Sequence, residues 1–490
     1  MHLWIGLHLP RLPLEVFCPN WSEDEACTVV LEQEGVLAAS AQALALGVRP
    51  GMRRNGALLM APDAQMMERA PLREAEALHA VAMALLQYTP QVAEGEEATL
   101  LLDVGASLRL FGGVRRLCRL IRHTMRELGF TAVLSCAPTG RAAWLLAQAG
   151  GGRSLTKESM LRRLAAVPPA VLPPARPYLA WLDGIGCFSF AQLCRLPRPG
   201  LQRRCGKALI AMLDAARGDT PEMFDWIEAP PSFMARLELF DRIENAELLL
   251  AGARRLLQQM TGWLCARQLA VEGIRLALEH ERGRVAKPPT LVDIALSEAV
   301  WHDGHLVRLL KERLGRITLE SPVIGLCLEA SEVKPMAPLN DCLFPEPGGS
   351  AEDRQRLLEV LVARLGPDNV LQPAPKADYR PEHANAWVPV QQKLRTADVL
   401  AQLPPQPLPR PTWLLPKPIA LMMRDHRPFY GSPLRVVSNA ERIEAGWWSD
   451  AQTRDYFIAE GEDHVHYWVY RERLSGGEEG QRWFLHGLFG

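Results

Sequence analysis

The chain lacks the cysteine spacing of a metal site or a disulfide framework. Its 10 cysteines are scattered through 490 residues without a Cys-x-x-Cys pair, which favours reduced thiols in a cytoplasmic protein. It also lacks an apolar run of 18 residues and the charged-then-apolar pattern of a secretion signal. We therefore expect a soluble, cytoplasmic protein without a membrane span.

An excess of charge of either sign is absent as well. The 55 basic and 56 acidic residues leave a net charge of −1, so no overall field attracts nucleic acid. Any contact with DNA must come from local basic patches. Hydrophobic residues make up 48% of the chain, which is ample for the cores of about three or four domains.

The first 150 residues alternate between strand and helix patterns. HLWIGLHL at 2–9 reads as a buried strand, and helical spacing follows at 72–88, 114–128 and 140–149. ATLLLDV at 98–104 and TAVLSCA at 131–137 read as further strands. This alternation predicts an α/β layer.

The rest of the chain reads as α+β units. Residues 231–333 follow the order β-α-β-β-α-β, with helices at 244–267 and 303–314, and predict a small sheet with both helices on one face. Helical and proline-rich material follows to about 390, then the proline-rich AQLPPQPLPRP at 401–411. The last 78 residues hold five of the 13 tryptophans and alternate like a small β domain.

Two basic segments are candidates for DNA contact. In LDGIGCFSFAQLCRLP the turn Gly184-Ile185-Gly186 predicts a helix-hairpin-helix, whose backbone N–H groups bind phosphate. Five cations follow it: Arg195, Arg198, Arg203, Arg204 and Lys207. An ordinary glycine-capped turn beside a solvated charged face remains the alternative.

The second basic segment, at 114–128, places Arg115, Arg119, Arg122 and Arg126 on one helical face. This pattern by itself favours a solvated face. A single carboxylate, Asp103, ends the strand before this helix, and one acid cannot hold two divalent ions. A strand-end residue with satisfied hydrogen bonds is the favoured interpretation of Asp103.

Four segments, in this order, resemble the Y-family (UmuC/DinB-type) translesion DNA polymerases. They are GVRPGM at 47–52, LLLDVGASLRLFGG at 100–113, LSCAPTGRAAWLLAQ at 134–148 and the LDGIG hairpin. The resemblance covers about residues 3–375. It implies palm and fingers over 1–165, a helix-hairpin-helix thumb over 178–230 and a little finger over 231–375.

The remainder, a linker at 390–412 and a domain at 413–490, is similar to the tail of the ImuB-like branch of that family. The likeness is carried by Arg410, Pro411, Trp413, Glu441-Arg442-Ile443-Glu444, Gly446-Trp447-Trp448, Arg454-Asp455-Tyr456 and Trp483-Phe484-Leu485-His486-Gly487. That branch is a catalytically inactive, polymerase-like component of bacterial SOS mutagenesis.

The resemblance also places the catalytic positions of active members. Their first-strand metal-binding acid falls at Gly6, with His8 two residues on. The adjacent Asp-Glu that precedes their RLFG motif falls at Ala98 and Thr99. These side chains provide no carboxylate ligand for Mg²⁺, so neither a catalytic residue nor a metal cofactor is expected.

The triphosphate ligands of active members, a Tyr and an Arg, fall at Ala41 and Leu44. Neither side chain donates a hydrogen bond to phosphate. A slip of the strand would bring Glu96 or Glu97 near the site. An active translesion polymerase with relocated ligands is therefore the alternative to a pseudo-polymerase.

What remains under the resemblance is a DNA-binding adaptor that acts in DNA repair and the SOS response. Its implied partners are primer-template or damaged DNA, the β sliding clamp, ImuA and an error-prone DnaE-type polymerase. The candidate clamp-binding peptide contains Gln402, Leu403 and Leu408, with plain linker sequence as the alternative. The tail tryptophans Trp413, Trp447, Trp448 and Trp483 are candidates for partner binding, or they build a small core.

Overall fold

The computed structural model describes residues 2–19, 27–281, 287–336, 351–376, 378–392, 409–445, 452–473 and 482–489. The chain divides into two compact units, Met1–Val360 and Leu361–Gly490. In the described part of the chain, no helix is both long and apolar enough to cross a bilayer. The cysteines described there are free thiols.

Strands and helices of the first unit alternate up to residue 153, as the sequence predicts. Its strands are β1 (Trp4–His8), β2 (Thr28–Glu32), β3 (Gly35–Ala39), β4 (Gln65–Glu68), β5 (Val92–Gly95), β6 (Thr99–Asp103), β7 (Val133–Ala137), β8 (Gly152–Arg153), β9 (Met234–Ile243), β10 (Leu269–His280), β11 (Thr290–Val300) and β12 (Val323–Pro335). Its helices are α1 (Leu12–Glu15), α2 (Ala41–Ala45), α3 (Arg54–Met60), α4 (Pro71–Leu85), α5 (Val114–Glu127), α6 (Gly140–Gln148), α7 (Lys157–Leu164), α8 (Leu179–Gly184), α9 (Phe190–Arg195), α10 (Arg198–Arg217), α11 (Leu249–Arg267), α12 (Asp303–Leu314) and α13 (Ala351–Leu365).

A five-stranded sheet, in the order β5-β6-β1-β7-β8, lies at the centre of the first 165 residues. Its central strand β1 is antiparallel to both neighbours and is buried over most of its length. That burial on both faces accounts for the nearly continuous apolar sequence of β1. A smaller sheet has the order β3-β2-β4. Helices α2 and α3 lie between β3 and β4 in the chain and contact β2 and β3.

Helix α6 packs on the central sheet, and local sequence fixes where it begins. The Thr139 hydroxyl accepts a hydrogen bond from the Ala142 N–H at 3.3 Å, an ordinary N-cap. The Glu222 carboxylate accepts two more, from the N–H groups of Gly140 and Arg141 at 2.8 and 2.6 Å. A residue beyond α10 thus completes the cap of a helix about 80 positions earlier.

The predicted β-α-β-β-α-β unit is confirmed, with strand order β11-β10-β12-β9. Helix α11 packs against β9, β10 and β12 and also contacts α12, so both helices lie on one face. Helix α11 begins at Leu249, after a short 3-10 turn at Ala246–Leu248, later than the predicted 244. The α/β and α+β multidomain fold class is confirmed, and the finer domain limits given by the resemblance stay predictions.

The second unit begins at Leu361, within α13, and is built mainly of strands after that helix ends. They are β13 (Leu371–Pro375), β14 (Asn385–Pro389), β15 (Trp413–Arg424), β16 (Arg427–Tyr430), β17 (Ser432–Pro433), β18 (Arg435–Val436), β19 (Glu441–Ala445), β20 (Gln452–Glu460), β21 (His466–Glu472) and β22 (Arg482–Leu488). One large sheet has the order β17-β16-β15-β22-β21-β20-β18, with β19 also paired to β20. The predicted C-terminal β domain is present.

The hairpin β13-β14 lies where the sequence indicated only helical and proline-rich material. Prolines 373, 375 and 389 lie within its strands. A two-stranded hairpin consists of edge strands, in which a residue without an N–H group is tolerated. A rule that treats every proline as evidence against a strand therefore fails to predict this hairpin.

Candidate functional site

The position that corresponds to the family's catalytic acids lies where β1 meets β6. In the antiparallel register His8 lies opposite Thr99, and Gly6 lies opposite Leu101. Ala98 belongs to the turn between β5 and β6, where it has a left-handed φ of 49°. The register therefore puts positions 6, 8 and 99 on the same face of the sheet, as the resemblance requires.

Gly6 has no room for a side chain. A Cβ atom at this position would lie 2.4 Å from the carbonyl oxygen of Ala143 and 2.9 Å from Oγ of Ser135. Both distances are far below van der Waals contact. Helix α6 covers this face of β1, at the position where the resemblance predicts the metal-binding acid of active members.

His8 belongs to a cluster of neutral hydrogen-bonding groups. Its Nδ1 atom lies 3.1 Å from the carbonyl oxygen of Glu97, 3.2 Å from Thr99 Oγ1 and 3.2 Å from Gln148 Nε2. The Gln148 amide donates to Thr99 Oγ1 at 2.9 Å. Burial lowers the pKa of His8, so the imidazole is neutral at neutral pH. This cluster can hold the β5–β6 turn against α6, but it supplies no carboxylate.

The carboxylate of Glu97 is directed to a partner outside this cluster. Glu97 forms a bidentate ion pair with Arg176, with Nη2 and Oε2 2.9 Å apart. The backbone carbonyl of Glu96 accepts a hydrogen bond from the Trp144 indole at 3.0 Å. Within the described residues, no group of three or more His, Cys, Asp or Glu is arranged to hold a metal ion.

Asp103 lies at the other end of β6, opposite Trp4. Its carboxylate accepts the Gly105 N–H at 3.0 Å and lies 2.7 Å from Nδ1 of His2. This is the satisfied strand-end residue that the sequence favoured. Four residues of strand, about 13 Å, separate it from Thr99.

The positions of the family's triphosphate ligands lie on α2. This helix begins after Ser40, whose hydroxyl accepts a hydrogen bond from the Ala43 N–H at 3.4 Å. Ala41 and Leu44 are exposed there. The nearby Arg49 uses Nη1 to bind the carbonyl oxygens of Leu44 and Val48, at 2.6 and 2.9 Å. These two guanidinium contacts close the end of the helix.

The predicted hairpin follows α8. Gly186 has a φ of 74°, and the N–H groups of Ile185, Gly186 and Cys187 bond back to carbonyls of α8. The Phe188 N–H donates to Oε1 of Gln192 at 2.8 Å. The turn is thus formed as predicted, but these four N–H groups are used inside it.

The basic candidates lie around a second turn that the sequence reading missed. Helix α10 is interrupted at Gly206, with φ 84° and ψ 174°. Arg203, Arg204 and Lys207 flank it and are exposed. The Arg204 guanidinium lies 5.3 Å from the ring centroid of Trp181 in α8, which brings the two turns together. The signal in the sequence was the glycine of RRCGK inside an otherwise helical run.

Arg198 is not available in the way the sequence suggested. Its guanidinium forms a bidentate ion pair with Asp214, with Nη1 and Oδ1 2.8 Å apart. The basic surface of this segment therefore rests on Arg195 and on the residues around Gly206.

The tail tryptophans divide between core and surface. Trp483 is buried, with its ring centroid 5.3 Å from that of Phe457. Trp413 is 66% exposed. Trp447 and Trp448, together with the clamp candidates Gln402, Leu403 and Leu408, lie outside the described residues. For Trp483 the structure favours the alternative of a core residue.

The other tail motifs form one connected network. Arg410 forms a bidentate ion pair with Glu441, and its guanidinium lies 5.4 Å from the Trp468 ring centroid. Asp455, 1% exposed in its side chain, is an acceptor for Arg442, Arg471 and Arg473 at 2.9 to 3.1 Å. Motif residues far apart in sequence thus build the fold of the second unit.

Comparisons with known proteins find similar sequences over most of the chain. Residues 21–148 match the impB/mucB/samB family. Protein ImuB of Caulobacter vibrioides strain NA1000 / CB15N is 27% identical over 474 residues, covering 91% of this chain and 100% of the relative. Protein ImuB of strain ATCC 19089 / CIP 103742 / CB 15 matches equally. These two findings support an ImuB-like homologue of the Y-family.

Solved structures were also matched. A Dbh ternary complex covers 68% of this chain and 99% of its own, with 17% identity and a TM-score of 0.38. DinB from Sulfolobus solfataricus covers 68% and 100%, with 17% identity and a TM-score of 0.37. The recognition made from the sequence motifs is confirmed by the sequence comparisons.

Proposed function

We propose that the chain is a non-catalytic Y-family homologue that acts as a DNA-binding adaptor in SOS-induced translesion synthesis and mutagenesis in the cytoplasm. This proposal rests on the absence of carboxylate side chains at Gly6 and His8, on the face of β1 that α6 covers. The carbonyl of Ala143 occupies the space of a side chain at Gly6, and His8 lies among neutral groups. Phosphoryl transfer by two metal ions needs carboxylates at such positions.

The competing function is an active translesion polymerase with relocated ligands. Glu96 and Glu97 are the carboxylates nearest in sequence to the β1–β6 site, and Glu97 is already paired with Arg176. Primer extension on a damaged template, with Mg²⁺ or Mn²⁺, separates the two functions. We expect no extension by the purified chain.

Two variants make that experiment decisive. Glu96→Ala/Glu97→Ala removes the candidate relocated ligands, and His8→Ala alters the neighbouring neutral cluster. Extension by the unaltered chain that vanishes in the first variant and survives in the second would refute the adaptor proposal. A contaminating polymerase would be insensitive to both.

Clamp binding is proposed to use the peptide around Gln402 and Leu403. Clamp ligands of this family are short extended segments with a glutamine followed by apolar anchors, and proline-rich sequence favours extension. In the full chain we expect Gln402→Ala/Leu403→Ala/Leu408→Ala to weaken binding to the β sliding clamp at least tenfold. Gln406→Ala, in the same segment, is the control. Equal clamp affinity of both variants would place the clamp contact elsewhere.

The second unit is proposed to bind ImuA and the error-prone DnaE-type polymerase. Exposed aromatic residues are frequent energetic anchors of protein interfaces, and Trp413 is such a residue. Co-purification from a mixture of purified proteins should be reduced by Trp413→Ala. Trp387→Ala is the matched control, because Trp387 is also in this unit and is 67% exposed. If the unaltered chain captures neither protein, a general DNA-binding protein without these partners is the better account.

A further inference from the structure

Helix α5 presents a face made only of basic side chains. Its exposed positions are Arg115, Arg116, Arg119, Arg122, His123 and Arg126. The sequence alone favoured a solvated stripe. In the structure, however, the exposed positions of this helix are five arginines and one histidine, with no acidic or apolar residue among them.

The arginines of this face also have no ion-pair partner among the residues that the structure describes. The one acid of the helix, Glu127, instead forms an ion pair with Arg254 of α11, with Oε2 and Nη1 3.5 Å apart. Like charges three and four residues apart destabilise a helix. Arg115 and Arg116 lie in the first turn, where the macrodipole disfavours cations. The basic face therefore lowers the stability of its own helix. A contribution to folding does not explain why these positions are basic.

This face is on the opposite side of the central sheet from the hairpin segment. Ser135 of β7 donates a hydrogen bond to the Ala143 carbonyl of α6. The next residue, Cys136, has its Sγ 3.6 Å from Sγ of Cys118 in α5. Because successive side chains of a strand point to opposite faces, α5 and α6 lie on opposite sides. The hairpin segment, α8 to α10, is on the same side of the sheet as α6, because Thr139 Oγ1 at the start of α6 donates a hydrogen bond to the Ala216 carbonyl of α10 at 3.1 Å.

The length and composition of the face fit a nucleic-acid backbone. From Arg115 to Arg126 it extends about 16 Å, the axial span of about five phosphates of one DNA strand. Arg153 of β8 is exposed and lies beside Cys136 in the register of β7 and β8. Its side chain is therefore on the α5 side of the sheet and extends the positive surface. Each guanidinium group supplies a positive charge and N–H donors to phosphate oxygens.

An acidic protein surface is the weaker fit. Hot spots of protein interfaces are enriched in Trp, Tyr and Arg and lie in a desolvated, largely apolar core. The exposed positions of α5 include arginine but no aromatic or apolar residue that could form such a core. Contacts with phosphate, in contrast, need only positive charge and hydrogen-bond donors.

We infer that the outer face of α5 is a second, sequence-independent binding surface for the phosphodiester backbone of DNA. It holds a DNA segment other than the one bound by the residues around Gly206. This inference rests on the proposed DNA-binding function and adds a second site to it.

The test uses the full chain and oligonucleotides too short to reach both faces, a 12-base-pair duplex and a 12-nucleotide single strand. Three variants are needed. The stripe variant is Arg115→Gln/Arg119→Gln/Arg122→Gln/Arg126→Gln, its control changes the same four residues to lysine, and the hairpin variant is Arg203→Gln/Lys207→Gln.

We expect the unaltered chain to bind two oligonucleotides at low salt, and the stripe and hairpin variants to bind one each. The lysine control should still bind two, because it keeps the charge. The stripe variant should also lose part of the salt dependence of duplex binding, about 0.9 in the slope of log affinity against log salt for each phosphate contact removed. The experiment is done separately with the duplex and with the single strand. The oligonucleotide for which the stripe variant loses one binding site is the form of DNA that this face binds.

Each other outcome has a definite meaning. If the stripe variant binds DNA as the unaltered chain does, the inference fails and the proposed function stands. If the stripe variant instead loses a protein partner, the face is a protein-binding surface and the inference also fails. Loss of binding in the lysine control would mean that charge is not the cause, which refutes it. No DNA binding by the unaltered chain would refute the inference and the proposed function together.

Discussion

At the scale of single residues, Gly6 shows what a missing side chain means in this fold. The sequence indicates only that a carboxylate is absent from the position. The structure adds that the space is filled, because the carbonyl oxygen of Ala143 and the hydroxyl of Ser135 lie 2.4 and 2.9 Å from where a Cβ would be. Restoring the acid is therefore opposed by packing as well as by chemistry.

We predict that Gly6→Asp destabilises the chain and does not create a metal site. Gly6→Ala should cost about 2 kcal/mol of unfolding free energy or more, because overpacking against backbone is poorly relieved. Gly6→Asp should cost more, since it also buries a charge. Urea unfolding followed by tryptophan fluorescence measures both.

Gly56→Ala is the control for this substitution. A Cβ at Gly56, in α3, would meet nothing within 4 Å, so its effect should be small or slightly stabilising. Wild-type stability of Gly6→Ala would show that α6 does not press on the strand. Binding of Mg²⁺ by a stable Gly6→Asp variant would contradict the prediction more directly.

At the scale of secondary-structure elements, β20, β21 and β22 hold a buried polar group within an aromatic cluster. His486 of β22 is 1% exposed, and its Nδ1 lies 2.8 Å from the hydroxyl of Tyr456 in β20. The Tyr456 ring stacks on Trp468 of β21, with centroids 4.1 Å apart. Burial lowers the pKa of His486 from 6.5 to about 4, so folding of this sheet requires the neutral imidazole.

We predict that this sheet loses stability as the pH falls below about 6.5. The unfolded chain binds the histidine proton more tightly than the folded one, so stability is full above pH 6.5 and decreases toward pH 4. Between pH 7.5 and pH 5 the loss from this group should be about 2 kcal/mol. Hydrogen exchange of peptides from β20 to β22, corrected for intrinsic rates, measures it.

The variants for this test are His486→Gln and His466→Gln. The first removes the buried titrating group and should flatten the pH dependence of exchange, at some cost in overall stability. The second changes an exposed histidine of β21 and should leave the dependence as it is. The same pH dependence in His486→Gln and the unaltered chain would assign the effect to other groups.

At the scale of the whole molecule, the close packing of α11 on α4 joins the β-α-β-β-α-β part to the first part of the same unit. A Cβ at Gly262 of α11 would lie 1.9 Å from the carbonyl oxygen of Met83. Nearby, the buried Arg255 lies with its guanidinium 4.6 Å from the Phe130 ring centroid, and burial lowers its pKa to about 10. The two helices can approach this closely only because one of them carries glycine at the contact.

We predict that Gly262→Ala separates the two helices. Although alanine favours helix formation locally, the contact with backbone should lower the unfolding free energy of the first unit by about 2 kcal/mol or more. Hydrogen exchange in α4 and α11 should rise together. Gly304→Ala, at an open position of α12, is the control and should leave exchange in both helices unchanged.

The sequence by itself determined the elements and most of their order. The helices at 71–85, 114–127 and 140–148 and the β-α-β-β-α-β unit follow from periodicity and caps, which act between residues close along the chain. The absence of carboxylates at Gly6, Ala98 and Thr99 could also be read there, given the family motifs. The interruption of α10 at Gly206 was readable as a glycine in a helical run, but a single glycine does not specify a turn.

Only the tertiary structure decided which faces are covered and which charges are used. Glu97 is paired with Arg176, and Arg198 with Asp214, because chain folding brings together residues that local patterns do not connect. The same reason separates Trp483 in the core from Trp413 on the surface. It also leaves the arginines of α5 without an ion pair to any described acid. Pairing and burial depend on contacts between distant segments, and periodicity carries no information on them.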